Sequence, residues 1–210
     1  MSATGRTLRG GPATERAVHD QYETPEWATR LILSRLSTRI WEANAQTSAR
    51  VLEPACGTGA ITRILLEHDG FYAKHVTGVD VDPTMVVRHE QLGVHTKCLD
   101  FVTSAPDYSA RGFRFDLIIT NPPYKLAEAY ARAALPLLSA QGELALLLRL
   151  NFLAGQKRSA LHREHPSDVY VLPRRPSFTG NGTDATEYAW LVWGPGRGNR
   201  WFLLDEGNGA

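Results

Sequence analysis

Residues 51–59 read Val-Leu-Glu-Pro-Ala-Cys-Gly-Thr-Gly, an apolar run that empties into two closely spaced glycines, and helical apolar spacing follows over 60–67. A strand that turns through glycine straight into a helix is the opening of a βαβ unit. Such a unit can bury its apolar faces only in a sheet covered by helices. Glycine at this turn also lets the backbone come close to a ligand at the strand's carboxyl end. The rest of the chain repeats the alternation. Extended segments are predicted at 50–56, 75–81, 95–100, 115–120, 143–150, 168–172 and 187–193, and helices at 83–91 and 125–140, the latter ended by Pro136 and the Gln141-Gly142 turn. Thr24-Pro25 predicts one more helix start, with a capping hydroxyl and a proline at the first helical position. The expected fold is a doubly wound, Rossmann-like mixed α/β sheet. Its single domain is expected to cover 20–193, after a flexible basic arm at 1–19 with Arg6, Arg9 and Arg16, and before a tail at 194–210 that opens on the flexible-looking Gly194-Pro195-Gly196-Arg197-Gly198.

With 210 residues, 43% of them hydrophobic, the chain can fill one core and not two large ones. A net charge of +1 excludes a uniformly basic nucleic-acid coat but leaves room for a local basic face. Two cysteines, Cys56 and Cys98, supply neither a disulfide framework nor a zinc site. The sequence holds no apolar run suited to a secretory leader or a membrane span, so a soluble cytoplasmic protein without a metal is expected.

The strand ends carry the chemistry. Asp80 closes the second strand about 20 residues beyond the glycine turn, the place of an acid that holds ribose hydroxyls. Thr62 stands where a dinucleotide fingerprint needs its third glycine, which favours an adenosine cofactor over a nicotinamide one. Asp100-Phe101 after the third strand is placed to accept from an adenine amino group and to cover the base face. Beyond the fourth strand comes Asn121-Pro122-Pro123-Tyr124. Two prolines force the chain to turn and present an amide, a carbonyl and an aromatic ring. Two acceptors and a ring suit a planar amine: the acceptors take both N–H hydrogens and redirect the nitrogen lone pair, and the ring stacks on the π-face.

Glu53-Pro54-Ala55-Cys56-Gly57-Thr58-Gly59 together with Asn121-Pro122-Pro123-Tyr124 resembles the amino-methyltransferases that use S-adenosylmethionine, above all the DNA N6-adenine methyltransferases. Tyr22-Glu23-Thr24-Pro25, ahead of the glycine motif, resembles the N-terminal cofactor motif in the gamma-type order. Arg175-Pro176-Ser177-Phe178 and Glu187-Tyr188-Ala189-Trp190 resemble the small phage- and prophage-type members. The resemblance runs over 20–193 and implies the class I methyltransferase fold.

The resemblance also implies roles. Tyr22, Thr24, Pro25, Glu53, Pro54, Cys56, Gly57 and Gly59 would surround the methionine part of the cofactor, which leaves as S-adenosylhomocysteine. Asp80 would bind its ribose, Val81 would lie beside the adenine, and Asp100 and Phe101 would hold the adenine edge and face. Asn121 and the Pro122 carbonyl, followed by Pro123, would bind the target amine; Tyr124 would stack on the target base and Phe178 would cover its other face. Larger gamma-type enzymes carry a separate target-recognition domain after the catalytic one, and none is expected in the 194–210 segment. The segment 151–182, with Lys157, Arg158, Arg163, Arg174 and Arg175, therefore becomes the candidate phosphate-binding surface, and a homodimer or a specificity partner is a further expectation. The expected partner is DNA. RNA adenine, the glutamine amide of a release factor, or a non-catalytic adenosine-binding subunit are the alternatives.

Overall fold

The computed structural model describes residues 23–36, 49–68, 71–178 and 182–206. Tyr22 and the arm at 1–19 lie outside them. Eight strands form one sheet: β1 (Val51–Pro54), β2 (Val76–Asp80), β3 (His95–Cys98), β4 (Phe115–Thr120), β5 (Leu138–Arg149), β6 (Asp168–Val171), β7 (Tyr188–Trp193) and β8 (Trp201–Leu203). Their order is β3-β2-β1-β4-β5-β7-β6-β8, with β7 antiparallel to both neighbours and every other pairing parallel. The chain order reverses between β1 and β4, and in such sheets a ligand crevice opens at that reversal, outside the strands' carboxyl ends. The mixed α/β sheet of the expected class is what forms.

The helices are α1 (Glu26–Leu33), α2 (Ala60–Leu66), α3 (Pro83–Glu90), α4 (Phe101–Ala110), α5 (Ala127–Ala134) and α6 (Ser159–Glu164). Strand alternation divides the apolar residues between two cores, one on each face. Ala145 and Leu147 of β5 with Trp190 and Val192 of β7 join the core under α1 and α2. Leu144, Leu146 and Leu148 with Ala189, Leu191 and Trp193 join the core that includes residues of α4 and α5. The fully buried Trp190 donates its indole N–H to the Ala28 carbonyl at 2.9 Å, pinning α1 against the sheet.

Several expectations meet a different outcome. Pro25 itself is the cap of α1, and no side chain caps that helix; Thr24, one residue earlier, is buried. Helix α4 is an element the sequence reading lacked. Asp100 starts it by accepting from Thr103 N–H at 3.0 Å, and Pro106 inside it hides the helical pattern from a reading that treats proline as a stop. The helix expected at 125–140 ends sooner, because Pro136 lies in a 3-10 turn over Leu135–Leu137 and β5 begins at Leu138. The expected tail also changes character. Beyond Trp193 the chain returns as β8, which pairs with β6, and Arg197 and Arg200 lock it to the buried Asp168.

Candidate functional site

The glycine turn is built by conformations that its sequence permits. Ala55, Gly57 and Gly59 all have positive φ (59°, 52° and 80°), and Gly59 begins α2. A Cβ at Gly59 would lie 2.5 Å from Leu92 and 2.8 Å from the His89 ring, so glycine is required there by packing as well. At Gly57 a Cβ would meet nothing within 4 Å: the turn opens here, and a ligand can approach its backbone. Gly57 N–H donates to Asp80 Oδ2 at 2.9 Å, and Asp80 Oδ1 accepts from Asp82 N–H at 2.9 Å. The acid at the end of β2 thus stands directly against the turn, with Val81 beside it 63% exposed. Glu23 accepts from the Thr58 hydroxyl, which brings the segment before α1 over the same turn.

Glu53 has a different place from the one expected. It is 2% exposed, and its Oε2 accepts from both the N–H and the hydroxyl of Thr62, behind the turn rather than in front of it. Since the Thr62 hydroxyl donates to Glu53, it accepts from His89 Nε2 at 2.9 Å, and His89 Nδ1 shares a hydrogen bond with the Thr96 hydroxyl at 2.7 Å. The buried His89 ring fits a slot where a Cβ on Gly78 would approach within 2.4 Å. Sequence reading missed this prop, whose one signal was an imidazole on the inward face of α3. Burial, with Glu53 and Asp80 nearby, raises the pKa of the Cys56 thiol, which stays protonated.

At β3, Asp100 is exposed and one of its oxygens caps α4, while Phe101 is 2% exposed and packs 5.3 Å from the Tyr130 ring. This ring is a core residue, so its expected place over an adenine face is corrected. Burial, then Asp80 and Asp100, raises the Tyr130 pKa. An open glycine turn, a partly exposed acid at the next strand end and an exposed Val81 fit an adenosine ligand.

Asn121-Pro122-Pro123-Tyr124 leaves β4 beside this crevice. Thr120 donates its hydroxyl to the Pro54 carbonyl, tying the end of β4 to the end of β1. Pro122 is buried, and among the described residues its carbonyl accepts no backbone hydrogen bond, whereas that of Pro123 accepts from Leu126 N–H at 2.8 Å. Burial, then the neighbouring Tyr188, raises the Tyr124 pKa, while Arg149 and Asn121 act against that rise.

Around Tyr124 lies a cluster the sequence did not announce. The Arg149 guanidinium, at the end of β5, sits 4.6 Å from the Tyr124 ring centroid. Its Nε donates to the Tyr188 hydroxyl at 3.0 Å and a terminal nitrogen to Asp184 Oδ2 at 3.4 Å, while the Tyr188 hydroxyl donates to the same Asp184 oxygen at 2.8 Å. Phe178 is 6% exposed and meets Tyr188 edge-on at 5.1 Å, so it acts as a wall behind the cluster and not as an open stacking face.

The basic residues of the 151–182 stretch have different partners. Arg158 donates to the carbonyls of Asn151, Phe152 and Ala154 and clamps that turn. Arg174 pairs with Glu206 and lies over the Trp27 ring, and Arg175 pairs with Glu187. Lys157 is exposed, and Arg163 lines a cleft of about 630 Å³ with His162 and Trp201. No helix among the described residues is long and apolar enough to cross a membrane.

Residues 20–154 match the methyltransferase small domain family. No curated protein sequence matches. Among solved structures, a class I S-adenosylmethionine-dependent methyltransferase described as putative, from Listeria monocytogenes, superposes with a TM-score of 0.61 at 14% identity, over 91% of this chain and 68% of its own. The DrdV–DNA complex gives 0.60 at 13% identity, over 87% of this chain and 27% of the DrdV chain. The plantazolicin methyltransferase BpumL, solved with S-adenosylhomocysteine, gives 0.55 at 13%, over 90% and 91%. With the reversal crevice, the open glycine turn and Asp80 on one strand edge, these matches settle the family: the chain belongs to the methyltransferase small domain family and has the fold of the S-adenosylmethionine-dependent methyltransferases.

Proposed function

We propose that the protein transfers a methyl group from S-adenosylmethionine to the exocyclic N6 amino group of adenine in DNA. The observation that carries this reading is the position of Asn121-Pro122-Pro123-Tyr124, tied through Thr120 and Pro54 to the strand that leads into the glycine turn. An adenine held there has left its stack and entered the crevice. The Asn121 side chain and the Pro122 carbonyl accept the two amino hydrogens and turn the lone pair toward the cofactor, which supplies an electrophilic sulfonium methyl. The same acceptors favour the positive charge that develops on nitrogen, and the proton leaves afterwards, so no strong general base is needed. Support for DNA comes from the residues that resemble adenine methyltransferases and from DrdV, which shares the fold and is seen with DNA.

The test is methylation with labelled S-adenosylmethionine of DNA, RNA and release factor, followed by identification of the methylated atom. N6-methyladenine in DNA is the expected product. Label in RNA adenine or in a glutamine amide alone replaces the polymer, and label in cytosine overturns the adenine assignment.

A further inference from the structure

Arg149 belongs to no motif in the sequence, yet its guanidinium lies against the ring that the proposed function assigns to the target base. The arrangement has three parts. Asp184 anchors it, with one oxygen accepting from both Arg149 and the Tyr188 hydroxyl. Tyr188 is 1% exposed and cannot move far, and it accepts from Arg149 Nε at 3.0 Å. The planar cation, two bonds now fixing its direction, covers Tyr124 at 4.6 Å, while Tyr188 stands on Tyr124 at 5.6 Å with a 55° tilt. Tyr124 is thus held by a cation and a ring. A guanidinium over an aromatic face is favourable by itself, and a planar fork is better suited to this than a flexible ammonium.

We propose that Arg149 is a positioning residue for methyl transfer: anchored on Asp184 and Tyr188, it fixes the plane of the Tyr124 ring on which the target stacks, in the same turn as the Asn121 amide that receives the amine. The proposal rests on the reading of Asn121–Tyr124 as the amine site, and it needs no particular polymer. Asp184 holds more than Arg149: its backbone N–H donates to the Pro176 carbonyl at 2.9 Å, and its Oδ1 accepts from Thr186 N–H at 3.2 Å. The same residue therefore meets Pro176 through its backbone N–H and Thr186 through its carboxylate, which also orients the cation.

The experiment is a double-mutant cycle in single-turnover methylation, with cofactor saturating and with whichever of DNA, RNA or release factor the unaltered enzyme methylates. Arg149→Met should slow methyl transfer by about 10²-fold, the effect of a misplaced reacting group. Cofactor affinity, read by calorimetry, should stay at the parent value. In a Tyr124→Ala background, Arg149→Met should add less than about twofold, because a residue that acts through Tyr124 has nothing left to position. Arg149→Lys, which keeps charge but loses the planar fork, should be intermediate. Asp184→Asn, which removes the anchoring charge and leaves Arg149 in place, should slow transfer in the same direction and serves if Arg149→Met folds poorly. An unchanged rate in Arg149→Met, or the same loss in both backgrounds, overturns the proposal. A wrong polymer shows in the unaltered enzyme; a wrong role for Arg149 shows only in the cycle.

Discussion

The two halves of the sheet are held by different means. From β3 to β4 the parallel strands end in short turns set by local conformation and backbone N–H groups: positive φ at Ala55, Gly57 and Gly59, and N–H groups donated to Asp80 and to the Asp82 cap, with the Glu53–Thr62–His89 prop behind them. From β5 to β8, side chains do the fixing. Arg197, 8% exposed in its side chain, donates to Glu143, Asp168 and the Tyr170 hydroxyl, and Arg149 joins Asp184 and Tyr188. Backbone turns are written in neighbouring residues; side-chain clamps join residues far apart. Gly57 and Asp80 are 23 residues apart, one βαβ step, so their meeting follows from the motif and the strand count. Arg149 meets Asp184 across 35 residues and Arg197 meets Glu143 across 54, through an antiparallel return that no local pattern encodes.

That difference suggests how to break the comparison. On the clamped side the largest effect belongs to Arg197→Met. It would leave the carboxylates of Glu143 and Asp168 buried without this cation, at a cost of about 3–5 kcal/mol in urea unfolding. Burial tends to raise the Asp168 pKa, but Arg200 and the N–H groups of Gly198 and Arg200 outweigh it and hold the carboxyl below its ordinary 3.8. A group depressed in the folded state adds stability above its ordinary value and loses it as pH falls through the folded value. Parent and variant should therefore both weaken on the acid side, in the range below about pH 4. A loss under 1 kcal/mol in Arg197→Met would mean that this half, too, rests on backbone and apolar packing.

On the chemical side, Asn121→Ala should lower single-turnover methylation by about 10²–10³ with cofactor affinity unchanged, since the acceptor matters most as the nitrogen becomes cationic. Full activity in that variant would rule out the proposed acceptor. Asp80→Ala should act in the opposite sense, weakening S-adenosylmethionine binding by about 1.5–3 kcal/mol through lost charge-assisted hydrogen bonds. The structure adds a second cost, because Gly57 and Asp82 would lose their acceptor and the turn its brace. Calorimetry should thus show weaker binding even for a fragment that lacks the ribose. Unchanged cofactor affinity would remove Asp80 from the site.

Much of the cofactor half was legible because each strand end announces its own chemistry. Asp100 and Phe101 show where that logic misleads. The acid caps a helix, and the ring fills a core, as an Asp-Phe pair at a helix start ordinarily does. Glu53 misleads differently, since nothing in its neighbours indicates that Thr62 and His89 draw it behind the turn. The tail misleads through composition. Gly194 to Gly198 looks loose, yet Arg197 inside it meets partners that only the finished sheet brings together.

The smallest effect separates two kinds of surface arginine. Read from sequence, Arg174 and Arg175 should each neutralise a phosphate, and replacing both by Ala should flatten the dependence of log K on log salt by about two units, at roughly 0.9 per contact. In the structure each already faces a carboxylate, Glu206 and Glu187. An arginine that leaves a carboxylate for a phosphate releases a counterion from the nucleic acid, but the carboxylate it abandons takes one up, and the net release shrinks. The double variant should then change the slope by less than about one unit. Lys157 and Arg163 have no ion pair among the described residues, so the corresponding Ala pair should come closer to two units if this edge faces DNA. Slopes measured between 50 and 200 mM salt with one adenine-containing duplex decide it, on the order of conditions where such slopes are linear. If Arg174 and Arg175 give the full two units, their carboxylates do not restrain them, and the side-chain clamps of this half end at its buried members.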